Sequence, residues 1–225
     1  MVSMRQVAIS MSFLLLAFVP ARAQMGMRSG PPQFRGVWNP VVGHGAAYEL
    51  QTKDGRKSSM EIAIVGKEIV DGKDGYWLEI TMNNPQIGGE FVSKNLTVSD
   101  GKDTVVSRVI MQMPGRPPME MSSQMLQMHH ENQPADIRKD AEDVGAESVT
   151  TPAGTFACEH YRLKDGSGDS WVSEKSSPYG LVKFQGKDST MVLTKMIADA
   201  KDKITGTPQP FNPMMMQPPP QQPEQ

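Results

Sequence analysis

The chain has 225 residues, of which 38% are hydrophobic and 21% charged, and its formal net charge is −2. This balanced charge, with no basic stripe, argues against nucleic acid as a partner. The single cysteine, Cys158, excludes an internal disulfide, so that stability must come from a hydrophobic core.

The first 23 residues have the layout of a secretory signal peptide. Arg5 supplies a positive n-region, residues 7–19 form a short apolar run, and Ala21-Arg22-Ala23 is an A-x-A cleavage site. The apolar run is shorter than the roughly 20 residues that span a bilayer, and no longer one follows it. No cysteine directly follows the cleavage site to carry a lipid anchor. We therefore expect a periplasmic or secreted protein that does not span the membrane after cleavage.

A single domain is predicted between two segments of low complexity. Residues 24–32 and 207–225 are rich in Pro and Met, with Gly in the first segment and Gln in the second, and lack an apolar period, so both are predicted to be disordered. Residues 33–206 have the size of one domain with one core. Pro218-Pro219-Pro220 favours polyproline II, which suits either a solvated spacer or a docking segment for an envelope protein.

Alternating apolar and polar residues, punctuated by turns, predict nine or ten antiparallel strands. Turns such as Asp71-Gly72-Lys73-Asp74-Gly75 provide the positive φ that tight hairpins need. The predicted strands cover residues 46–52, 59–65, 76–82, 91–99, 104–113, 147–151, 155–163, 170–174, 181–185 and 190–198.

The apolar spacing changes between residues 118 and 145. The prolines of residues 114–118 break the sheet because they cannot donate to a ladder. Apolar residues then recur at intervals of three or four in two groups: Met121, Met125 and Met128, then Ile137, Ala141 and Val144. This spacing predicts a helix before Pro134 and a short helix over residues 135–143. The predicted class is α+β, mainly antiparallel β.

Several strand-turn-strand runs resemble a pattern of bacterial exported proteins whose layout is similar to the periplasmic lipoprotein-carrier superfamily. The runs are residues 152–161, 169–173 and 178–183, with the early strand Gly75-Tyr76-Trp77-Leu78-Glu79. The resemblance implies a strongly curved sheet, a half-barrel, that cradles a short helical segment and has an apolar interior. It matches no residue of this chain to the binding of a lipid-modified client.

Methionine is abundant just before two histidines. Met111, Met113, Met119, Met121, Met125 and Met128 precede His129 and His130. Flexible methionines fill cores and line adaptable pockets, which favours packing or an apolar binding site. Thioether and imidazole are also the ligands that suit Cu(I) in an oxidising compartment. The alternative is therefore a copper site formed by Met111, Met113, Met119, Met121, His129 and His130.

The remaining residues give little support to catalysis. Cys158 and His160 share one face of a predicted strand, in a row that also suits a buried structural thiol. Gly168-Asp169-Ser170 resembles an esterase block, but no His follows Ser170 to act as the base. Without a base, nucleophile or metal in a recognisable pattern, the sequence predicts no enzyme and no cofactor.

The sequence therefore predicts an exported, non-catalytic binding protein for a lipid, a lipoprotein or another apolar ligand. Trp77 and Trp171 either anchor the core or line the mouth of a cavity. The predicted ligand-binding residues are Trp77, Met121, Met125, Met128 and Trp171. Two alternatives stay open, a periplasmic copper-binding protein that uses residues 111–130 and a structural envelope-assembly module that recruits a partner through its tail.

Overall fold

The computed structural model describes residues 36–84, 89–99, 103–128, 133–134 and 136–212. The predicted signal peptide, residues 24–32 and residues 213–225 of the predicted tail lie outside these ranges. No helix in the described ranges is long and apolar enough to cross a membrane.

One sheet contains all of the strands in the described part of the chain. They are β1 Gly45–Thr52, β2 Lys57–Val70, β3 Lys73–Asn84, β4 Gly89–Ser99, β5 Asp103–Gln112, β6 Met119–Glu120, β7 Gln133–Pro134, β8 Ala141–Thr151, β9 Gly154–Leu163, β10 Gly168–Val172, β11 Leu181–Gly186, β12 Ser189–Ile197 and β13 Gln209–Pro210. The strand order is open: β13-β6-β5-β4-β3-β2-β1-β12-β11-β10-β9-β8, with β7 paired to β5 beside this path.

The sheet consists of two meanders that meet in its middle. Strands β1–β6, the N-terminal meander, run in chain order from the middle to one edge, and β8–β12, the C-terminal meander, run back from the other edge. They join where β1 and β12 pair antiparallel, with Tyr48 opposite Leu193. We call this pair the seam. All other pairs are antiparallel too, except β13 with β6, which is parallel.

The ten strands predicted from alternation are confirmed, and the antiparallel β class with them. Most are longer than predicted. The clearest case is β2, which continues past Val65 because a bulge between Ile64 and Gly66 shifts the register without ending the pairing with β3. An irregularity of this kind interrupts the alternation that the sequence prediction follows.

One of the two predicted helices is observed. The helix α1, Ser123–Met128, lies within the predicted region, and the Ser122 hydroxyl accepts a hydrogen bond from the Met125 amide near its start. The helix predicted over residues 135–143 is wrong. Ile137–Lys139 form a 3-10 turn and Ala141 begins β8. Ile137 and Ala141 are buried four residues apart without a helix, whereas Val144 is 47% exposed.

The main hydrophobic cluster draws on both meanders. Ile62, Ile64 and Ile80 of the N-terminal meander pack in one cluster with Leu181 and Leu193 of the C-terminal one. Because this cluster surrounds the seam, burial of apolar area holds the two meanders together.

A segment after β12 crosses the opposite face of the N-terminal meander. We call residues 198–208 the C-terminal strap. The Lys203 amide donates to the buried Glu79 carboxylate at 3.0 Å, and Ile204 packs in a cluster with Val92 and Ile110. The strap ends where Gln209–Pro210 add to β6, although a disordered tail was predicted from residue 207. An edge strand tolerates this proline since it needs no donor on its open side.

The C-terminal meander brings distant strands together. Strands β8 and β12 contact each other, although β9, β10 and β11 lie between them in the strand order. A smaller cluster of Ile137, Ala141, Tyr161, Leu163 and Val172 packs in this region.

Candidate ligand-binding groove

A half-open groove of about 910 Å³ lies at the C-terminal meander. Four pieces of chain form it: the segment before β1, the 3-10 turn before β8, strands β8 and β9, and the end of β10 with the segment that follows it. Its apolar lining is Val37, Trp38, Ala146, Ala157 and Val172, and its charged lining is Arg138, Glu147, Glu159, Glu174 and Lys175. The groove thus combines an apolar surface with two cations and three carboxylates.

Backbone hydrogen bonds hold the first wall in place. The Val37 amide donates to the Tyr179 carbonyl and the Asn39 amide donates to the Pro178 carbonyl, both at 2.7 Å. Gly36 makes this approach possible, because a Cβ at that position would lie 2.0 Å from the Tyr179 carbonyl oxygen. The wall is therefore fixed to a segment more than one hundred residues away in the sequence.

Trp38 is the aromatic residue of this wall. Its ring centroid lies 5.1 Å from that of Tyr179 and 6.3 Å from that of Tyr76, the latter in an edge-to-face arrangement. The indole is half-buried, so part of its surface remains open. Two aromatic neighbours fix a ring that offers apolar contact area to a ligand.

Small side chains make the floor. In the register of β8 and β9, Ala146 lies opposite Glu159 and Ser148 opposite Ala157. Because side chains alternate between faces, these four share one face, and all four are exposed. Ala and Ser leave free the volume that larger residues would fill, which is why the sheet surface is hollow here.

The charged groups around the groove are held by neighbours. Asp136 accepts from the Arg138 side chain at 2.6 Å, and this guanidinium lowers the pKa of Asp136. Glu159 accepts from the Tyr161 hydroxyl, and burial together with this carboxylate raises the pKa of Tyr161 to about 12. Arg138 and Glu159 are thus positioned charges that could orient a polar headgroup.

Cys158 lies on the other face of β9 and is buried, in agreement with a structural thiol. Burial, with the Glu147 carboxylate, raises the pKa of the Cys158 thiol to about 11. The thiol is therefore protonated at neutral pH and is a poor nucleophile. The described residues contain no group of three or more His, Cys, Asp or Glu side chains that could hold a metal ion.

Trp171, a predicted ligand-binding residue, is 9% exposed and has protein neighbours around its ring. His160 stacks on it with centroids 4.4 Å apart, the Lys183 ammonium lies 4.4 Å from the ring centroid, and Glu147 accepts from the indole N–H. His160 is itself held by Asp169 through Nε2 at 2.8 Å. The structure places Trp171 in the main hydrophobic cluster.

Trp77 lies in a different cluster, with Val92, Ile110 and Ile204. Its indole N–H donates to Glu68 at 3.1 Å, and the cationic groups of Lys94 and Arg108 lie 4.9 and 5.2 Å from the ring centroid. The two predicted tryptophans are therefore not brought together.

The predicted methionines lie near the β5–β6 edge. Met119 is buried, whereas Met111, Met113, Met121 and Met125 are half-buried. The Met128 side chain, His129 and His130 lie outside the described residues. Among the predicted ligand-binding residues that the structure describes, none belongs to the groove lining.

Sequence reasoning missed the groove because it gave no role to Trp38. The signal that could have found it is a tryptophan in a predicted loop, between Gly36 and Pro40. The alternation of small residues on β8 and β9 was the second signal.

The chain shows only low similarity to known proteins. The chain matches no protein-family model, and no curated protein matches it. One similar solved structure is a protein described as a lipoprotein of Parabacteroides distasonis, at 15% identity over 73% of this chain and 100% of that one, with a TM-score of 0.36. Another is an exported protein with a YmcC-like fold from Bacteroides fragilis, at 14% identity, 72% and 99% coverage and the same TM-score. At this TM-score, neither structure is a basis for inferring fold or function.

Proposed function

We propose that this chain is an exported, non-catalytic binding protein whose groove takes an amphipathic ligand, such as a lipid or a lipid-modified client. The observation that carries the proposal is the half-open groove of about 910 Å³, which joins apolar side chains to positioned charges. Export is expected from the signal-peptide layout of the first 23 residues.

The size of the groove supports a small-molecule site, since ligand pockets are concave and about 300–1,000 Å³ in volume. Its lining is about as polar as it is apolar, which suits an amphipathic ligand rather than a purely apolar one. Trp38, Ala157 and Val172 provide the apolar surface, so that removing an acyl chain from water is the main driving force. Arg138 already holds the Asp136 carboxylate through Nε and Nη2, so its remaining N–H groups, together with the Lys175 ammonium, are the donors proposed for an anionic headgroup.

The path of the C-terminal meander supports a curved sheet. A flat sheet would hold β8 and β12 four strand spacings apart, roughly 19 Å. Their contact favours a meander that rolls up, which is the half-barrel part of the proposal. The short α1 contacts β5 of the other meander, so the ligand is proposed to bind beside the curved meander and away from the helix.

The experiment compares two tryptophan substitutions on one face of β9. Ala157→Trp fills the groove floor, whereas Thr155→Trp adds the same side chain two residues away, outside the groove lining. Both positions are exposed, so both variants are expected to fold. The probe is N-phenyl-1-naphthylamine, whose fluorescence rises in apolar sites, together with native mass spectrometry of the protein purified from an envelope.

We expect the wild type and Thr155→Trp to bind the probe with similar Kd, and Ala157→Trp to weaken binding by at least about tenfold, which corresponds to 1.4 kcal/mol. A co-purified mass present in the wild type and absent in Ala157→Trp would agree. Equal binding by all three proteins, or no binding by the wild type, contradicts the proposal.

A further inference from the structure

The β5–β6 pair, next to the edge strand β13, carries a group of methionines that the groove does not use. Met111 of β5 lies directly opposite Met119 of β6. The Met121 amide donates to the Val109 carbonyl at 3.0 Å, so the pairing continues past β6. Alternation therefore places Met111, Met119 and Met121 on one face of the sheet. Met113 follows Met111 by two residues, where a turn closed by the Arg116 amide begins.

Directly opposite residues on one face have Cβ atoms about 4.5–5.5 Å apart, and diagonal neighbours are within reach of long side chains. A methionine sulfur lies two bonds beyond Cβ on a chain with free rotation. The thioethers of opposite and diagonal methionines can therefore turn toward one point between the strands.

The charged neighbours point to the other face. Glu120, between Met119 and Met121, alternates away from them and accepts from the Arg108 side chain at 2.8 Å. Arg108 and Ile110 are on that same opposite face, because they alternate with Met111. The donors on the methionine face are thus neutral thioether sulfurs. The neighbouring carboxylate, Glu120, lies on the other face and is already paired with Arg108.

The four methionines differ in how deeply they are buried. Met119 is 1% exposed, whereas Met111, Met113 and Met121 are half-buried. The inner sulfur is thus shielded from water, and the outer ones remain reachable from solvent. An ion could exchange its water molecules for thioethers one at a time on entering such a site.

We propose that Met111, Met113, Met119 and Met121 form a binding site for a soft monovalent cation, Cu(I) or its analogue Ag(I). Thioether sulfur selects Cu(I) over hard cations, which prefer carboxylate and carbonyl oxygen. Thioethers also need no deprotonation, so that binding persists at acidic pH where thiolate and imidazole ligands are lost. The site is separate from the groove and does not depend on the proposed ligand.

The chain contains a matched control pair. Met60 of β2 lies directly opposite Met82 of β3, and Met60 is also 1% exposed. The residues two positions along on that face are Ile62 and Ile80, so these two strands offer no further sulfur donor next to the pair. Met191 of the same cluster lies on β12, beyond β1. The two pairs therefore share cross-strand geometry but differ in the number of neighbouring thioethers.

The test titrates the full mature chain with Ag(I), which has no redox chemistry under these conditions, and counts bound ions by native mass spectrometry. Double Met→Leu changes conserve volume and usually cost less than about 1.5 kcal/mol each, so both variants are expected to fold. M111L/M119L is expected to lose about one equivalent of Ag(I), and M60L/M82L none. Methyl resonances of Met111, Met119 and Met121 should shift together on Ag(I) binding at pH 5 and at pH 7.

Unchanged Ag(I) stoichiometry in M111L/M119L overturns the proposal, because the ions would then be bound elsewhere in the chain. Equal losses in the two variants overturn it as well, since ordinary cross-strand pairs would suffice. Displacement of Ag(I) by excess Zn²⁺ would overturn the assignment of a thioether site. Circular dichroism and thermal unfolding verify that both variants are folded.

Discussion

The two meanders differ in how their faces are covered. In the N-terminal meander, β3 is buried on both sides. Leu78 and Ile80 face the main cluster, and Glu79 and Thr81 are on the side that the C-terminal strap crosses. In the C-terminal meander, β8 exposes seven consecutive residues from Glu142 to Ser148. One half of the sheet is enclosed by its own chain, and the other leaves a hollow surface open to solvent.

In the proposed function, this difference separates stability from binding. The C-terminal strap contacts β2 through Glu61, β3 through Glu79 and β4 through Lys94, so the middle of this meander is packed on both faces. The groove lies on the other half of the sheet, where the side chains are small and β8 is an edge strand. Leaving such a surface uncovered sacrifices little packing free energy. A binding surface placed on a well-buried scaffold keeps its geometry without a ligand, which limits the entropy lost on binding.

The largest expected effect comes from breaking the seam. Leu193 is fully buried opposite Tyr48, so Leu193→Ala is expected to lower the free energy of unfolding by about 2–5 kcal/mol. Val105→Ala, at a 38% exposed position, is the control and should change it by less than about 0.5 kcal/mol. Urea denaturation measures both.

The same experiment asks whether the meanders unfold together. Single-tryptophan variants that keep Trp77 or Trp171 report on the N-terminal or C-terminal meander. Because the main cluster spans the seam, the two signals are expected to show one midpoint. Two separate midpoints would show that the meanders are independent units.

The next effect concerns the buried carboxylate beneath the C-terminal strap. Burial, together with the carboxyl of Asp202, raises the pKa of Glu79 from 4.5 to about 7. Since the folded state holds this proton more tightly than the unfolded state, the contribution of Glu79 should make stability fall as pH rises from about 4.5 to about 7. Glu79→Gln keeps an acceptor for the Lys203 amide and should remove this part of the pH dependence.

The control for this pH effect is Glu142→Gln, at an exposed position of the C-terminal meander. It should leave the shape of the stability profile unchanged. If Glu79→Gln and the wild type have parallel profiles between pH 4 and pH 8, the carboxyl of Glu79 does not titrate in this window. Thermal unfolding at each pH gives the comparison.

The smallest effects compare the cations beside the two tryptophans. Lys183 contacts the ring of Trp171, and Lys183→Met should cost about 0.5–1 kcal/mol, the range of an accessible cation–π contact. Lys94 contacts Trp77 and also pairs with Asp202 of the C-terminal strap. Lys94→Met should therefore cost more, about 1–2 kcal/mol in all, because it removes both a cation–π contact and an ion pair to the partly exposed Asp202 carboxylate. Equal losses in urea denaturation would show that the strap contact adds nothing.

Local patterns in the sequence predicted the strands well. Alternation and Gly-containing turns depend on neighbours within about ten residues, so that the ten main strands and the helix α1 could be found. The spacing of Ile137 and Ala141 misled the prediction, because a 3-10 turn followed by a strand buries the same two residues.

The site depends on contacts that no local pattern contains. The wall of the groove forms only because Val37 pairs with Tyr179, and the strap is set by Lys203 on Glu79. Trp77 and Trp171 were singled out for their residue type, yet each contacts a lysine ammonium through its ring and a carboxylate through its indole N–H. Residue type could suggest candidates, but register and long-range pairing decide which of them face a groove.

The seam also constrains the order in which the chain folds. Gly45 of β1 pairs with Ile197 of β12. The second neighbour of β1 therefore becomes available only after almost the whole domain has been synthesised. Each meander closes through short hairpins, which form quickly, whereas this long-range pairing is slow. Until then β1 is an open strand edge, and such edges pair with other chains. Until β12 is available, the N-terminal meander therefore exposes β1 to pairing with other chains.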